Sequence, residues 1–223
     1  EYNFSADEIL LSHPAAFLEA MKSIGRTWTN WFEIQIDRRR KWVEDWEKHL
    51  LEEASEDARS KRKMHPLQLG IDIISEMNDN DWLVFDGGNT HFWNEIAVNI
   101  SGWRGKKLGG IMHPGNYSLL GVGISFGVSA KAAHPDKNVV VISGDGAFLS
   151  GGLSVESAFQ EGLPIVVVID NNGGLDCISQ QQERLFSNGK HYATDFRDIP
   201  FHTMFEGLGG YGELVTSRDE LKP

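Results

Sequence analysis

The stretch that decides the fold runs from Val139 to Gly174 and reads VVVISGDGAFLSGGLSVESAFQEGLPIVVVIDNNGG. It contains two short apolar runs rich in β-branched residues, Val139 to Ile142 and Ile165 to Ile169, which have the length and composition of buried parallel strands. The segment between them has the length of a helix and is closed by Gly162 and Pro164. This order of strand, helix and strand predicts a right-handed βαβ unit, and therefore an α/β fold with a mostly parallel sheet.

Both predicted strands end in glycine-containing turns, Gly144 to Gly146 and Asn171 to Gly174. Because parallel strands end at one edge of a sheet, we expect the two turns to lie together. Glycine lets the backbone approach a ligand closely, and the N–H groups that follow favour an anion. Asp145 and Asn172 add oxygen ligands of the kind that Mg²⁺ prefers. The alternative is that both turns merely cap the helices that follow them.

This pair of turns resembles the diphosphate- and magnesium-binding signature of thiamine diphosphate enzymes, in which GDG is followed by NN at a similar spacing. The resemblance implies a three-layer sandwich with thiamine diphosphate and Mg²⁺ as cofactors. It also implies that Asp145, the side chain of Asn172 and the carbonyl of Gly174 bind the metal. The turn that contacts the cofactor would then comprise Gly144, Asp145, Gly146 and Ala147.

A third glycine turn, DGGNT, follows an apolar run from Trp82 to Phe85 that reads as another strand. Such a turn suits backbone contact with phosphate. In the resembled family the corresponding turn touches the diphosphate, which implies that Gly88, Asn89 and Thr90 bind the cofactor. DGGNT looks most like the turn of oxalyl-CoA decarboxylases and 2-hydroxyacyl-CoA lyases. Acetolactate synthases usually carry glycine, glutamine and histidine there.

The same resemblance implies roles for three further residues. Leu120 matches the position of the bulky apolar residue beneath the bent cofactor; the alternative is an ordinary core residue. The carbonyl of Ser118 would face the aminopyrimidine. Asp176, just beyond the metal turn, could face the substrate or could cap a helix that begins near Ile178. Leu120 and Asp176 are therefore the candidate catalytic residues.

Three histidines lie near the predicted site loops: His91, His113 and His191. Histidine titrates near neutral pH and often acts as an acid or a base. A lone histidine with no identified partner is more often structural, so the sequence leaves the role of each one open.

The composition excludes several classes of function. The 223-residue chain has a net charge of −11, which argues against a surface for nucleic acid or anionic membranes. No apolar run is long enough to span a membrane. The single cysteine, Cys177, fits a reducing compartment, and we expect a cytoplasmic location. No Walker lysine follows a glycine loop, and the glycines from Gly121 to Gly127 lack the dinucleotide-binding spacing.

We expect two parts in the chain. Residues 1–64 are interpreted as the tail of a central domain and a helical linker, since Trp42, Trp46 and Leu50 recur at helical spacing. Residues 65–223 are interpreted as a pyrophosphate-binding domain. In it, Gly207 to Val215 resembles the family's next strand. A helix-start pattern just before Pro223 predicts that further residues follow.

The resemblance implies a lyase or decarboxylase that acts on a 2-hydroxyacyl-CoA or a 2-oxo acid. In this family a separate pyrimidine-binding domain supplies the activating glutamate, and no segment of the chain matches that domain. We therefore expect a partner chain or a further domain, within a homo- or hetero-oligomer. Two alternatives stay open: an acetolactate synthase-type carboligase, and a non-catalytic subunit that only binds cofactor.

Overall fold

The computed structural model describes residues 12–22, 29–57, 64–186 and 190–221. Contacts divide the chain into two compact units, Glu1–Glu44 and Asp45–Pro223. Helix α1 (Pro14–Lys22) lies in the first unit, and α2 (Thr29–Asp57) begins in it and continues into the second. The described part of the predicted helical linker is helical over these two ranges, while the assignment of residues 1–64 to a central domain and linker stays a prediction. None of the described helices combines the length and the apolar character needed to cross a membrane.

The second unit alternates strands and helices. In chain order its elements are α3 (Pro66–Glu76), β1 (Trp82–Asp86), α4 (Asn89–Trp103), β2 (Gly110–Met112), α5 (Gly123–Ala133), β3 (Val139–Gly144), α6 (Asp145–Gly151), α7 (Glu156–Gln160), β4 (Val166–Asp170), α8 (Asp176–Leu185) and α9 (Phe201–Gly207). Short 3₁₀ helices lie at Gly115–Tyr117, Gly152–Val155 and Arg218–Leu221. The predicted βαβ unit is confirmed, although its helical crossover consists of three short pieces.

The strands form one parallel sheet in the order β2–β1–β3–β4. Val141 of β3 lies opposite Val84 of β1 and Val167 of β4, so β3 is central and all six of its residues are buried. The α/β class and the parallel sheet are confirmed. The expectation of two equally buried strands is wrong for β4, where Val166 is 56% exposed, because β4 has only one described neighbour.

Helices cover both faces of the sheet. On one face, α4 packs against β1, β3 and α3. On the other face, Val84 and Val141 join a core cluster with Ile124 of α5, Phe148 of α6 and Phe201 of α9. Successive side chains of a strand point to opposite faces, which explains how fully apolar strands serve both cores. The predicted three-layer sandwich is therefore the observed one.

The segment after α9 differs from the sequence expectation. Residues 211–216 have no regular secondary structure, so the strand predicted within Gly207 to Val215 does not form. The segment lies along the exposed side of β4, where it lines an open cleft of about 1540 Å³. The helix-start pattern that follows corresponds to the 3₁₀ helix at Arg218–Leu221, before which the backbone N–H of Thr216 donates to Glu220 Oε2 at 2.6 Å.

A buried carboxylate connects the starts of the two central strands. Asp81 Oδ2 accepts hydrogen bonds from the backbone N–H of Asn78 at 2.9 Å and from Asn138 Nδ2 at 3.2 Å. Asp81 Oδ1 accepts from the backbone N–H of Asn138 at 3.3 Å. Burial opposes the ionisation of Asp81, but the hydrogen bonds from Asn138 and Asn78 outweigh it, so the pKa of this carboxyl lies below its usual value.

Replacing Asp81 with alanine should lower the free energy of unfolding at neutral pH by about 1–3 kcal/mol, because the hydrogen bonds from Asn78 and Asn138 to a charged acceptor are lost. A lowered pKa stabilises the fold above the unfolded-state pKa, and this contribution is lost as the pH falls through the folded-state pKa. Wild type should therefore lose more stability on acidification than Asp81→Ala, measured by urea unfolding across the acid range. Asp136→Ala, which removes an exposed acid before β3, is the matched control. Equal acid sensitivity of wild type and Asp81→Ala would contradict this assignment.

Candidate functional site

Three turns meet at the carboxyl edge of the sheet. The β1 turn and the β3 turn are in backbone contact, since a Cβ added to Gly87 would lie 3.3 Å from the backbone nitrogen of Gly144. Gly144 is in turn paired with Asp170, the last residue of β4. Gly87 has a φ of 127°, which a side chain would strain. The structure thus brings together the three turns from which the site residues were predicted.

Asp145 is the buried centre of this edge. Its side chain accepts three backbone hydrogen bonds: Oδ1 from Gly146 at 2.7 Å, and Oδ2 from Gly173 at 2.8 Å and Gly174 at 3.0 Å. Burial raises the pKa of this carboxyl, the three N–H groups partly offset the rise, and the charge of Asp176 adds to it. A carboxylate that resists ionisation when alone gains most from a cation beside it.

The second predicted metal ligand lies next to the first. Asn172 Oδ1 accepts a hydrogen bond at 3.2 Å from the backbone N–H of Gly174, the same group that donates to Asp145. The two side-chain oxygens therefore flank one N–H group. Both oxygens have further lone pairs, so these contacts do not exhaust their capacity to bind a metal.

Gly174 carries the backbone carbonyl that was predicted as the third metal ligand. It forms a short antiparallel bridge with Asp195, whose two hydrogen bonds use the carbonyls of Gly173 and Thr194. The carbonyl of Gly174 takes no part in that bridge. A Cβ on Gly174 would lie 2.4 Å from the carbonyl oxygen of Thr194, so this close approach requires glycine. A carboxylate, an amide oxygen and a carbonyl form an oxygen-only donor set that fits Mg²⁺.

Hydrogen bonds join the β1 turn to Asp170 of β4 and to Asp176 of α8. Thr90 Oγ1 donates to Asp170 Oδ2 at 2.9 Å, and Asn89 Nδ2 donates to Asp176 Oδ2 at 3.0 Å. A Cβ on Gly88 would lie 3.0 Å from the Cβ of Cys177. These three residues, predicted to bind cofactor, are therefore held against β4 and α8.

The structure tests the interpretation of Asp176 as a helix cap. Helix α8 begins at Asp176 itself, its N-cap position is Leu175, and no side chain makes a capping hydrogen bond there. The capping interpretation is therefore wrong. The carboxylate of Asp176 instead contacts Asn89 at the site, and its catalytic role stays a prediction.

Leu120 lies in a loop rather than in the core. Its side chain is 43% exposed, so the interpretation of Leu120 as an ordinary core residue is wrong. Ser118, two residues earlier, adopts a left-handed conformation with φ of 47°. The loop contacts the C-terminal end of α6 through Gly121, whose added Cβ would lie 3.0 Å from the backbone nitrogen of Gly151.

Asp86 anchors this loop, a role that sequence analysis missed. Its Oδ2 accepts hydrogen bonds from the backbone N–H groups of Gly121 at 2.9 Å and Gly123 at 2.7 Å. Asp86 is 1% exposed at the end of β1. The sequence feature that could have revealed this role is an acidic residue directly after an apolar strand, a position where an unpaired charge would be costly.

The histidines are not isolated either. His191 Nε2 lies 2.7 Å from Glu183 Oε1. His91 Nε2 lies 3.1 Å from Glu95 Oε1, and the ring of His113 is 5.0 Å from that of His91. Each histidine thus has a partner that sequence spacing alone did not identify.

Replacing Asp86 with alanine should speed hydrogen exchange at the amides of Gly121 and Gly123, because both lose a buried acceptor. We expect the free energy of unfolding to fall by about 1–3 kcal/mol. Exchange would be followed by NMR or mass spectrometry. Asp86→Asn retains an acceptor oxygen and should retain most of the protection, and Ser125→Ala, at an exposed position on α5, should change neither quantity. Unchanged exchange in Asp86→Ala would refute the anchoring role.

Comparison with known proteins identifies the family of this chain. Residues 86–223 match the family model described as the thiamine pyrophosphate enzyme C-terminal TPP binding domain; thiamine pyrophosphate is another name for thiamine diphosphate. The chain is 26% identical over 190 residues to 2-hydroxyacyl-CoA lyase 2 of Bos taurus, covering 80% of this chain and 29% of that protein. It is 32% identical over 162 residues to 2-hydroxyacyl-CoA lyase of Oryza sativa subsp. japonica, covering 70% and 27%.

Two further matches extend the range of relatives. The catabolic acetolactate synthase of Raoultella terrigena is 25% identical over 160 residues, covering 72% of this chain and 27% of that one. Among solved structures, the thiamine diphosphate-dependent 4-hydroxybenzoylformate decarboxylase of Rhodococcus jostii RHA1 aligns with a TM-score of 0.59 and 26% identity, over 70% of this chain and 28% of that one. The chain spans less than a third of the length of these relatives. It belongs to the family of C-terminal thiamine diphosphate-binding domains of thiamine diphosphate enzymes.

Proposed function

We propose that this chain holds the diphosphate end of thiamine diphosphate through Mg²⁺, as one domain of a C–C bond lyase or decarboxylase. The observation that carries the proposal is the Asp145–Asn172 pair, whose two oxygens accept hydrogen bonds from one N–H group at the carboxyl edge of the sheet. Family membership identifies the cofactor, and Mg²⁺ is its usual metal. The donor set of Asp145, Asn172 and Gly174 supports that choice of metal.

The β1 turn provides the second contact with the cofactor. Gly88, Asn89 and Thr90 stand at the start of α4, a helix of 15 residues whose first N–H groups suit a phosphate. Their links to Asp170 and Asp176 keep this turn beside the predicted metal ligands. In the proposed complex, the backbone of Gly144, Gly146 and Ala147 contacts the diphosphate from the β3 side.

Thiamine diphosphate, when bound, supplies a carbanion that adds to a carbonyl carbon and then accepts the electrons of a breaking C–C bond. The proposed task of this chain is to orient the cofactor. Leu120 would support its bent shape, and the carbonyl of Ser118 would accept a hydrogen bond from its aminopyrimidine. The exposed position of Leu120 in an anchored loop supports this role. Asp176 would contact the substrate.

We propose a 2-hydroxyacyl-CoA as the substrate of the complete enzyme. The two relatives named 2-hydroxyacyl-CoA lyases support this choice over oxalyl-CoA, and the DGGNT turn is compatible with both substrates. The acetolactate synthase relative favours a carboligase as the second candidate. Substrate screening of the complete enzyme separates them: cleavage of a 2-hydroxyacyl-CoA supports the first, and acetolactate formation from pyruvate supports the second.

The activating glutamate would come from a pyrimidine-binding domain on the same polypeptide or on a partner subunit. The share of the relatives that this chain covers leaves room for such a domain in them. We therefore propose an oligomeric enzyme whose active sites lie between a domain of this kind and a pyrimidine-binding domain. We also propose a cytoplasmic location for this enzyme.

Asp145→Ala in the complete enzyme should weaken Mg²⁺-dependent binding of thiamine diphosphate by at least about tenfold, because an anionic metal ligand is removed. The measurement is a calorimetric or fluorescence titration with and without Mg²⁺. Asp136→Ala serves as the control, since it removes an exposed acid that lies outside the site. Equal affinities in both variants would overturn the metal assignment.

Leu120→Ala should slow proton exchange at the reactive carbon of the bound cofactor by about tenfold, equal to about 1.4 kcal/mol, because a loosely supported cofactor activates less well. Binding should change less than exchange. NMR-detected deuterium exchange measures the rate. Leu119→Ala is the matched control, since Leu119 is the exposed neighbour in the same loop. If both variants exchange at the wild-type rate, Leu120 does not support the cofactor.

A further inference from the structure

Three side chains outside the predicted magnesium site converge beside β1. His91, Glu95 and His113 each present one ligand atom, and these atoms all lie within 4.8 Å of one another. We propose that they form a binding site for a divalent transition metal of the zinc type. This site is independent of the function proposed above.

The fold itself brings the three side chains together. His91 and Glu95 are one helical turn apart on α4, which places them on the same face. His113 directly follows β2, the strand that pairs with β1. Because α4 begins just after β1 ends, the start of the helix and the end of β2 are neighbours.

Packing holds the two imidazoles in place. Phe85, which is 1% exposed, stacks on the ring of His113 with centroids 5.0 Å apart and contacts that of His91 at 5.4 Å. His91 is 6% exposed. A buried aromatic residue that contacts both rings restricts their rotation, so little side-chain entropy remains to be lost when a metal binds.

The donor chemistry selects the metal class. Two imidazoles and one carboxylate suit Zn²⁺, Cu²⁺ or Ni²⁺, whereas Mg²⁺ takes oxygen ligands. Tetrahedral Zn²⁺ with bonds of about 2.1 Å separates its ligand atoms by about 3.4 Å. His91 Nε2 and Glu95 Oε1 are already 3.1 Å apart, so small side-chain rotations complete the site. The Glu95 side chain is 45% exposed, which gives the metal a route of entry.

Metal binding breaks existing hydrogen bonds: the contact between His91 Nε2 and Glu95 Oε1 is replaced by bonds to the metal, and a second bond is lost at His113. His113 Nδ1 now accepts a hydrogen bond from the backbone N–H of Gly115 at 3.2 Å. Whichever ring nitrogen of His113 binds the metal, Nδ1 loses its free lone pair, either to the metal or to the proton of the other tautomer. The bond from Gly115 must therefore break, and the free energy of zinc coordination far exceeds this loss. Metal binding should consequently be visible at the amide of Gly115.

Titration of the full chain with Zn²⁺, and with Co²⁺ as a spectroscopic probe, tests the proposal. We expect one tight equivalent, a visible absorption band of nitrogen- and oxygen-ligated Co²⁺, and a shift of the Gly115 amide resonance. His113→Ala and Glu95→Gln should each weaken binding by at least about tenfold. His91→Ala should do the same, but His91 is buried, so the other two variants decide if this one misfolds.

Two control variants separate this site from other metal-binding groups. His191→Ala removes a histidine that lies beside Glu183 and Asp195 but has no second histidine in its group, so it should retain the tight equivalent. Asp145→Ala should also retain it, because that residue belongs to the oxygen-only donor set. Tight binding that survives His113→Ala and Glu95→Gln, or that is lost in His191→Ala, would overturn the proposal. Absence of any tight equivalent in the wild-type chain would overturn it as well.

Discussion

The parallel pairing of β3 with β1 on one side and β4 on the other is the constraint on which the site depends. A strand buried over all six residues is held by packing on both faces and by hydrogen bonds on both edges. Because all three strands run in the same direction, their carboxyl ends must meet. The loops that carry glycine, asparagine and aspartate therefore converge at this edge, where hydrogen bonds such as that between Thr90 and Asp170 join them.

Buried aspartates then fix the ends of these strands. Asp81 joins the loops before β1 and β3, Asp86 holds the loop after the Gly115–Tyr117 helix, and Asp145 joins α6 to the β4 turn. Each accepts backbone N–H groups, which makes the burial of a charge tolerable. The balance between burial and hydrogen bonding differs between Asp81 and Asp145: the pKa of Asp81 is lowered and that of Asp145 is raised. The first therefore suits a structural role, and the second would gain more from a cation beside it, in line with the proposed metal site.

The accuracy of the sequence-based predictions followed the range of the interactions involved. The strands near Val139 and Ile165 and the turns after them were predictable, because apolar runs and glycine turns are local signals. The exposure of β4 was not predictable, since it depends on which strands lie beside it.

The role of Asp86 was also not predictable from local sequence, because its partners Gly121 and Gly123 are distant in sequence. The same holds for His91 and His113, which meet only because β2 pairs with β1. The failed prediction of a strand within Gly207 to Val215 belongs to this group, because a strand forms only where a partner strand accepts it.

The side of β4 that has no strand beside it among the described residues has a consequence for handling the protein. Val166 is 56% exposed there, and the adjacent cleft is lined by apolar residues such as Phe159 and Phe205. Backbone N–H and C=O groups along a flat apolar strand are a template for the addition of a strand from another molecule. Concentrated solutions of the chain on its own should therefore form intermolecular sheets through β4. A charged residue at Val166 offers a direct way to keep the chain monomeric without touching the three turns.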